Sequence, residues 1–403
     1  MARKRRLGLE KGLVVAQVAV SLVLLVGAGL YIRTLENLEN QDLGFNQRRL
    51  LLFGINPAQN GYKGQRLLDL YGRLLGRLQN IPGVRSATMS SAVPVSGSRF
   101  SSTIAIEGYT PQIGQNMDVD CDVVGPSFFG TIGIRLLLGR GVEWQDTAGS
   151  PAVAVVNQAF ARSFFQGRNP IGHRFSIDWH PSTRIYGIVG VAQDAKLTGL
   201  QSAPQPAAYI PYSQAPIGQT PFLPAQLHFE VRTVEYPMAL VPTVRRLVRN
   251  LAPDLPLSDV KTQTEQISET LLQERLFARL SGLFGALALL LAMAGLYGLM
   301  AYGVARRTYE IGIRMALGAK KSHVLRLVVG EGMALALIGV GIGVAGAIGL
   351  TRFLSSMLYD VRPTDPLTFA LVSLILTGVA LLACYIPARR AAKVDPMVAL
   401  RHE

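Results

Sequence analysis

The sequence predicts an α-helical membrane protein with four transmembrane helices, one before and three after a large extracytoplasmic α/β domain. Three observations predict this fold class. Four runs of about 20 residues or more lack charged side chains, many lysines and arginines lie next to these runs, and the middle of the chain contains two strand–helix–strand patterns. A helix of about 20 residues rises about 30 Å, which is the thickness of the hydrocarbon core of a bilayer.

The uncharged runs lie at residues 12–32, 280–305, 332–351 and 367–388. They are apolar all round and contain many glycines, whereas a buried helix of a soluble protein is usually shorter and keeps a polar stripe. The first run follows the basic segment MARKRR, as in a signal peptide. Its length exceeds the apolar region of such peptides and no small-residue cleavage site precedes Arg33, so we predict an uncleaved anchor.

Basic residues close to the runs predict the orientation. Five lie in residues 1–11, six in residues 306–326 and four in residues 389–403, whereas the short loop 352–366 has two. Because cytoplasmic loops carry more Lys and Arg, we expect both termini and residues 306–326 in the cytoplasm and residues 33–279 outside it. This distribution accounts for most of the net charge of +14. The charge therefore indicates membrane topology and not nucleic-acid binding.

The region between the first two runs is expected to form one α/β domain with an insert. A strand–helix–strand pattern from RLLLFGIN to RSATMSSAVP is followed much later by another from AQLHFEVRT to LSDVKTQT. Two such units separated in sequence predict a split ferredoxin-like subdomain. Short alternating runs with frequent Gly and Pro predict a β-rich insert at about residues 118–215. Helical spacing continues past the first run and resumes before the second, with Thr264 as a plausible N-cap, which predicts helical stalks.

Motifs for catalysis or cofactor binding are missing from the sequence. GAKKS lacks the earlier glycine of a nucleotide-binding loop, and there is no H-E-x-x-H, C-x-x-C or G-x-S-x-G. His173 and His180 are close in sequence, with Asp178 nearby, but surface or hydrogen-bonding histidines are the simpler explanation. Cys121 and Cys384 lie in different predicted compartments and are not expected to pair. We predict no catalytic residue, cofactor or metal.

One carboxylate and one polar loop remain as candidate functional features. Glu331 begins the third apolar run, where it could serve as an interfacial anchor or a proton relay. Its place at the predicted cytoplasmic boundary favours the anchor. Residues 306–326 read as a short amphipathic helix with a small, apolar face. Such a helix can lie on anionic headgroups or dock in a groove of a cytoplasmic protein, and the pattern alone leaves both interpretations open.

Several segments resemble the FtsX/MacB superfamily of ABC transporter permeases. They are YEIGIRMALGAKKSHVLRLVVGEG, LYDVRPTDPLTF and PARRAAKVDPMVALRHE, together with VVAQVAVSLVLLVGAGLYIRTL and FARSFFQGRNPIGHRF. The resemblance is greatest to MacB-type permeases, and to one half of the duplicated orphan permeases among them. It implies a MacB-like periplasmic core domain at residues 33–279 and an FtsX-like permease domain at residues 280–403. The third transmembrane helix then covers residues 327–351.

The resemblance implies a dimeric permease in the bacterial inner membrane whose cytoplasmic loop docks on a separate ABC ATPase. Closure of the ATPase would move the loop, and this movement would reach the external domain and export or extract a hydrophobic or amphipathic substrate. A periplasmic adaptor and an outer-membrane channel are further partners in such systems. Only eleven residues precede the first helix, so the motor is expected on another chain. By position, the docking residues would be Glu310, Ile311, Gly312, Arg314, Ala316, Leu317, Gly318 and Ala319.

Two questions stay open at the level of sequence. The resemblance favours docking over membrane anchoring for the loop, but it leaves an alternative function. The chain could be a transmembrane regulator, like FtsX itself, whose external domain controls an envelope enzyme and transports no substrate. The substrate, and whether the chain is a complete permease or half of a duplicated one, are not readable from these residues.

Overall fold

The computed structural model describes residues 2–98, 100–179, 182–219, 226–307, 313, 321–353 and 364–391. The helices are α1 (Ala2–Asn40), α2 (Gly64–Gln79), α3 (Phe128–Ile132), α4 (Gln158–Phe165), α5 (Val241–Leu251), α6 (Gln263–Thr270), α7 (Leu272–Arg306), α8 (Lys321–Phe353) and α9 (Pro366–Ala391). The strands are β1 (Leu50–Ile55), β2 (Val84–Ser90), β3 (Phe100–Ile106), β4 (Asp118–Val124), β5 (Leu136–Gly139), β6 (Val153–Asn157), β7 (Arg174–Asp178), β8 (Thr183–Ala192), β9 (Ala207–Pro211), β10 (Leu227–Thr233) and β11 (Ser258–Thr262).

The chain divides into two compact units, a helical unit of Met1–Asn40 with Leu272–Glu403 and an α/β unit of Gln41–Leu271. In the helical unit, α1, α7, α8 and α9 each contain a stretch long and apolar enough to cross a membrane. The prediction of four transmembrane helices, one before and three after the α/β domain, is confirmed. On α1 the side chains of Val18, Leu22, Val26 and Leu30 recur every four residues and are buried by the other three helices.

One part of the α/β unit is the predicted split ferredoxin-like subdomain, built from strands at both ends of the unit. Four antiparallel strands lie in the order β11-β1-β10-β2, and α2 and α5 cover one face of this sheet. Phe53 of β1 stacks on Phe229 of β10 with ring centroids 5.2 Å apart. These rings belong to one core with the leucines of α2 and with Val244 and Val248 of α5. Strand alternation thus buries one set of side chains under the two helices.

The insert is a small closed barrel. Its strands pair in the order β4-β3-β7-β8-β6-β9, and parallel pairing of β9 with β4 closes the ring. A single pair, Ser90 with Val124, joins the barrel to the open sheet. Inside the insert Trp179 is buried, its ring stacks on Phe100 at 5.4 Å and its Nε1 donates to Tyr186 Oη at 3.1 Å. The β-rich insert therefore closes on itself, which removes most of its free strand edges. It begins earlier than the predicted residue 118, because β3 (Phe100–Ile106) pairs within the barrel.

The predicted helical extension after the first apolar run is present, and the one before the second run begins and ends differently from the prediction. The helix of the first transmembrane run continues to Asn40, as predicted. Before the second run the N-cap is Thr262 and not Thr264: the Thr262 hydroxyl accepts from Glu265 N, and the Glu265 carboxylate accepts from Thr262 N. Thr262 is the N-cap because Glu265, three residues later, completes a capping box with it. The helix is also interrupted at Leu271, where α6 ends and α7 begins.

Candidate functional site

The predicted docking residues lie between α7 and α8. This set, Glu310, Ile311, Gly312, Arg314, Ala316, Leu317, Gly318 and Ala319, falls outside the described residues, so its role stays a prediction. The described chain reaches Arg307 on one side of this segment and resumes with α8 on the other. These two ends form the part of the candidate site whose geometry is defined.

Glu331 links three parts of the helical unit at the base of this segment. Its Oε1 accepts a hydrogen bond from Lys11 Nζ of α1 at 2.6 Å, and its Oε2 accepts one from Arg307 Nη1 at 3.0 Å. Both contacts are ion pairs between side chains that are 34% to 52% exposed. Pairs with this exposure are worth about 0.2–1 kcal/mol each. We call Lys11, Arg307 and Glu331 the charge node.

The helices around the charge node pack closely. Gly332 follows Glu331 on α8, and a Cβ added there would overlap Sγ of Cys384 on α9 and lie 3.0 Å from Sδ of Met300 on α7. Arg390 Nη1 of α9 also donates to Tyr297 Oη of α7 at 3.1 Å. The node therefore joins α1 to a part of α8 that is already fixed against α7 and α9.

Small residues bring the other helices close to α1 along its length. On α8, a Cβ at Gly339 would lie 2.8 Å from Val18 Cβ, and one at Gly343 would lie 2.9 Å from the carbonyl oxygen of Ala19. On the α7 side, Ser21 Oγ donates to the carbonyl oxygen of Ala288 at 2.9 Å. Close approach of helix backbones at small residues is the usual basis of packing within membranes. In this unit α7 and α8 pack on α1, whereas α9 packs mainly on α7 and α8.

Charged side chains also bind α1 at its other end. Arg33 forms an ion pair with Asp365, which lies just before α9. The Asp365 carboxylate also accepts hydrogen bonds from the backbone N of Thr368 at 3.0 Å and from its hydroxyl at 2.6 Å. Further along, Glu39 accepts two hydrogen bonds from Arg275 of α7, at 2.8 and 3.0 Å. Near Lys11, α1 is therefore held by charge to α8, and through Glu331 to Arg307 after α7. Near Asn40, it is held to the start of α9 and the start of α7.

A buried carboxylic acid lies where the barrel joins the open sheet. Glu230 is fully buried, and its Oε1 lies 2.5 Å from Ser90 Oγ. Ser90 Oγ also lies 2.8 Å from the carbonyl oxygen of Ala92, so its single hydrogen has two acceptors, that carbonyl oxygen and the Glu230 carboxyl group. Burial raises the pKa of Glu230 well above its usual value, the Ser90 contact opposes this and the charge of Asp122 adds to it.

The described residues contain no group of three or more His, Cys, Asp or Glu side chains that could hold a metal ion. His173 is exposed and its ring lies 5.1 Å from that of Phe165, while His180 falls outside the described residues. Cys121 and Cys384 are both buried free thiols. Nothing in the defined geometry of these residues supplies a reactive group.

Sequence reasoning singled out one member of the charge node and missed the other two. Glu331 was predicted to be an anchor at the membrane boundary, whereas Lys11 counted only as a positive charge that sets topology and Arg307 also as part of the polar side of the loop helix. A carboxylate at the start of an apolar run with basic residues at the same membrane boundary is the signal that could have suggested the node. The pairing itself depends on which helix faces Glu331, and helix packing decides that.

Two family profiles match the chain. Residues 12–244 match the MacB-like periplasmic core domain, and residues 282–396 match the FtsX-like permease C-terminal region. Together they cover most of the α/β unit and of α7, and all of α8 and α9. The first profile alone matches more than half of the chain.

Curated relatives are named as export ATP-binding/permease proteins. The macrolide export ATP-binding/permease protein MacB of Burkholderia cenocepacia is 27% identical over 337 residues, which cover 79% of this chain and 48% of that protein. The pyoverdine export ATP-binding/permease protein PvdT of Pseudomonas syringae pv. tomato is 26% identical over 399 residues, which cover 97% of this chain and 56% of that protein. The chain thus spans about half the length of the curated relatives it matches.

Solved structures of external domains are also similar. The periplasmic region of MacB from Actinobacillus actinomycetemcomitans aligns with 59% of this chain and 97% of its own, with a TM-score of 0.38 and 15% identity. The extracellular domain of the noncanonic ABC-type transporter YknZ from Gram-positive bacteria aligns with 52% of this chain and 99% of its own, with a TM-score of 0.34 and 12% identity.

Proposed function

The chain belongs to the MacB-like family of ABC exporter permeases, and from this we propose that it is the permease subunit of an ABC transporter driven by an ATPase on another chain. The ATPase docks on residues 306–326. ATP hydrolysis moves this segment, the helical unit transmits the movement, and the external domain uses it to export or extract a hydrophobic or amphipathic substrate. The chain itself is not an enzyme in this proposal.

The charge node is the observation that carries this proposal. One carboxylate holds Arg307, at the beginning of the segment, and Lys11, on α1. Movement of the segment therefore acts on α1 as well as on α7 and α8. From Lys11 to Asn40 α1 is an unbroken helix, and about 30 residues at 1.5 Å each give a rod about 45 Å long. Such a rod reaches through the bilayer and beyond it.

The distribution of charge in the helices supports transmission of force over passage of a solute. The apolar runs hold no Asp, Glu, Lys, Arg or His between the charge node at one end and Arg33 with Asp365 at the other. Charged residues within the membrane are the usual marks of a pathway for ions or protons. Without charged side chains in these runs, the bundle suits a mechanical role.

Orientation and further partners are part of the proposal. The termini and residues 306–326 face the cytoplasm, and residues 33–279 face the periplasm. A second copy, or a related half, covers part of the apolar surface that α7 exposes through Leu283, Leu287 and Leu291, and lipid covers the rest. For export beyond the outer membrane, a periplasmic adaptor and an outer-membrane channel complete the assembly.

Affinity purification from native membranes tests the proposal. The tagged full chain should have no ATPase activity alone and should co-purify with an ABC ATPase. Gly312→Trp and Arg314→Glu should each remove that ATPase and leave the permease in the membrane. Gly349→Trp, which adds the same bulk at an exposed glycine with nothing within 4 Å of an added Cβ and lies outside residues 306–326, is the control. Retention of the ATPase by both docking variants would show that the docking assignment is wrong.

A further inference from the structure

One surface of the α/β unit carries positive charge that no described residue neutralises. The helices α2 and α5 lie side by side on one face of the open sheet and bury their apolar side chains against it. Their outer surfaces carry six exposed arginines, and Asp69 is the one acidic residue within the two helices. We call this set the arginine face: Arg66, Arg73, Arg77, Arg245, Arg246 and Arg249.

The arginines of α2 form a row. Arg66, Arg73 and Arg77 stand at positions i, i+7 and i+11, which lie within about 40° of each other around a helix with 100° per residue. At 1.5 Å per residue the row is about 16 Å long. On α5, Arg245 and Arg249 are one turn apart and Arg246 lies next to them. Two neighbouring helices thus present an extended positive surface.

The arginine face lacks the ion pairs that basic residues form elsewhere in the same unit. Arg140 pairs with Asp146 at 2.7 Å, and Arg162 pairs with Asp194 at 2.6 Å. Among the described residues, no carboxylate lies within ion-pair distance of the six guanidinium groups. Arg66 lies over the Tyr62 ring at 5.9 Å, and Arg73 Nε makes a 3.4 Å contact with a backbone oxygen.

This arrangement does not help the fold. Arg73 with Arg77 and Arg245 with Arg249 are like charges four residues apart, and like charges at this spacing destabilise a helix. Arginine outnumbers lysine throughout the chain, so the choice of arginine alone says little. What is informative is that no described carboxylate forms an ion pair with these four arginines, although Asp69 stands four residues before Arg73. A break in a local rule without such compensation points to a role outside the fold.

Complementary charge identifies the kind of partner. We propose that the arginine face is the docking surface for a folded protein that presents a cluster of carboxylates on the same side of the membrane as this domain. Guanidinium groups bind carboxylates through two parallel hydrogen bonds. A membrane-binding face would add large apolar anchors, and none of the large exposed apolar side chains among the described residues lies on α2 or α5. The inference is independent of ATPase docking on residues 306–326.

Site-specific cross-linking in native membranes tests this surface in the full chain. A photo-reactive phenylalanine analogue replaces Asn250, which is exposed beside Arg249, and in a control chain it replaces Asn169, which is exposed in the insert. We expect a protein adduct from position 250, mapped by mass spectrometry to a segment rich in Asp and Glu, and no such adduct from position 169. Arg73→Glu with Arg77→Glu, or Arg245→Glu with Arg249→Glu, should lower the adduct about tenfold or more.

Matched variants separate docking from folding. Arg168→Glu with Arg174→Glu reverses two exposed arginines of the insert and should leave the adduct unchanged. Glutamine in place of the same arginines on α2 should give an intermediate loss, and Lys substituted into the mapped acidic segment should restore cross-linking to the Glu variants. Persistence of the adduct after charge reversal, a mapped segment without acids, or equal loss in the insert control would each overturn the proposal. The proposal would also fail if no protein adduct formed and the purified chain instead bound phosphatidylglycerol vesicles through the same arginines.

Discussion

Removal of the Glu331 charge tests the charge node most directly. Glu331→Gln keeps the size of the side chain and breaks both ion pairs. Each pair, between groups about one third to one half exposed, is worth about 0.2–1 kcal/mol, so the variant should lose about 0.4–2 kcal/mol. Because about 1.4 kcal/mol changes an equilibrium tenfold, local opening at the node should become roughly 2- to 30-fold more frequent.

Hydrogen exchange of the full chain in lipid nanodiscs measures this change. In Glu331→Gln, amides near Lys11 and at the start of α8 should exchange faster by that factor, and amides at the start of α9, beside Asp365, should keep the wild-type rate. Glu36→Gln on α1 is a suitable control, because Glu36 forms no ion pair with a described residue. Equal exchange in the variant and the wild type would mean that the node does not hold these helices together.

Charge reversal adds a stricter test of the same node. Glu331→Lys places three cations together and should increase exchange beyond the glutamine variant. Adding Lys11→Glu and Arg307→Glu reverses all three charges and should restore protection to near the wild-type level. In a double-mutant cycle, Lys11→Met should increase hydrogen exchange at the node less in the Glu331→Gln background than in the wild type. Additive effects, or a triple variant no better than Glu331→Lys, would refute the pairing.

Three further predictions concern packing and buried polar groups. Gly343→Leu should destabilise the helical unit by about 1–3 kcal/mol because its side chain meets the backbone of α1, whereas Gly341→Leu, with nothing within 4 Å of its Cβ, should change thermal melting little. Arg232→Met should lower the free energy of unfolding by about 3 kcal/mol or more. The buried guanidinium donates to four backbone carbonyl oxygens at 2.6–3.1 Å, two of them at the end of α3. Arg135→Met, at an exposed site, is the control and should change stability little. Folding raises the pKa of Glu230, so the unfolded chain loses this proton at lower pH and stability falls as pH rises above the usual Glu value. Glu230→Gln should therefore flatten the fall in melting temperature as pH rises above the usual Glu value, and an unchanged slope would contradict a neutral Glu230.

The parts of the fold that sequence predicts are those fixed by local pattern. Lipid demands about 20 apolar residues in each span, so the four helices follow from composition alone. The split α/β subdomain follows from two strand–helix–strand units. Closure of the barrel by β4 and β9 does not, because their parallel pairing joins residues such as Asp120 and Ala207 that are far apart in the chain. No local periodicity records such a contact.

The candidate site divides in the same way. Docking residues such as Gly312 and Arg314 were predicted from a resemblance and not from chemistry, since small and apolar residues on a basic loop suit a headgroup layer as well as a protein groove. Glu331 could be placed at the membrane boundary by counting residues. Its partners Lys11 and Arg307 could not, since they are 320 and 24 residues away and depend on how three helices face one another.

The contacts of α1 show how a helix bundle without buried charges can carry movement. In its apolar middle α1 meets its neighbours through small residues, apolar side chains and a contact of Ser21 Oγ with the carbonyl oxygen of Ala288, and this close packing resists sliding. At its ends α1 is held by Glu331, Asp365 and Arg275, and these partly exposed ion pairs can break and re-form for about 1 kcal/mol each. The middle therefore holds α1 in register, while the ion pairs at its ends can exchange. In the proposed function, this division lets movement at residues 306–326 shift α1 as one body without unpacking the bundle.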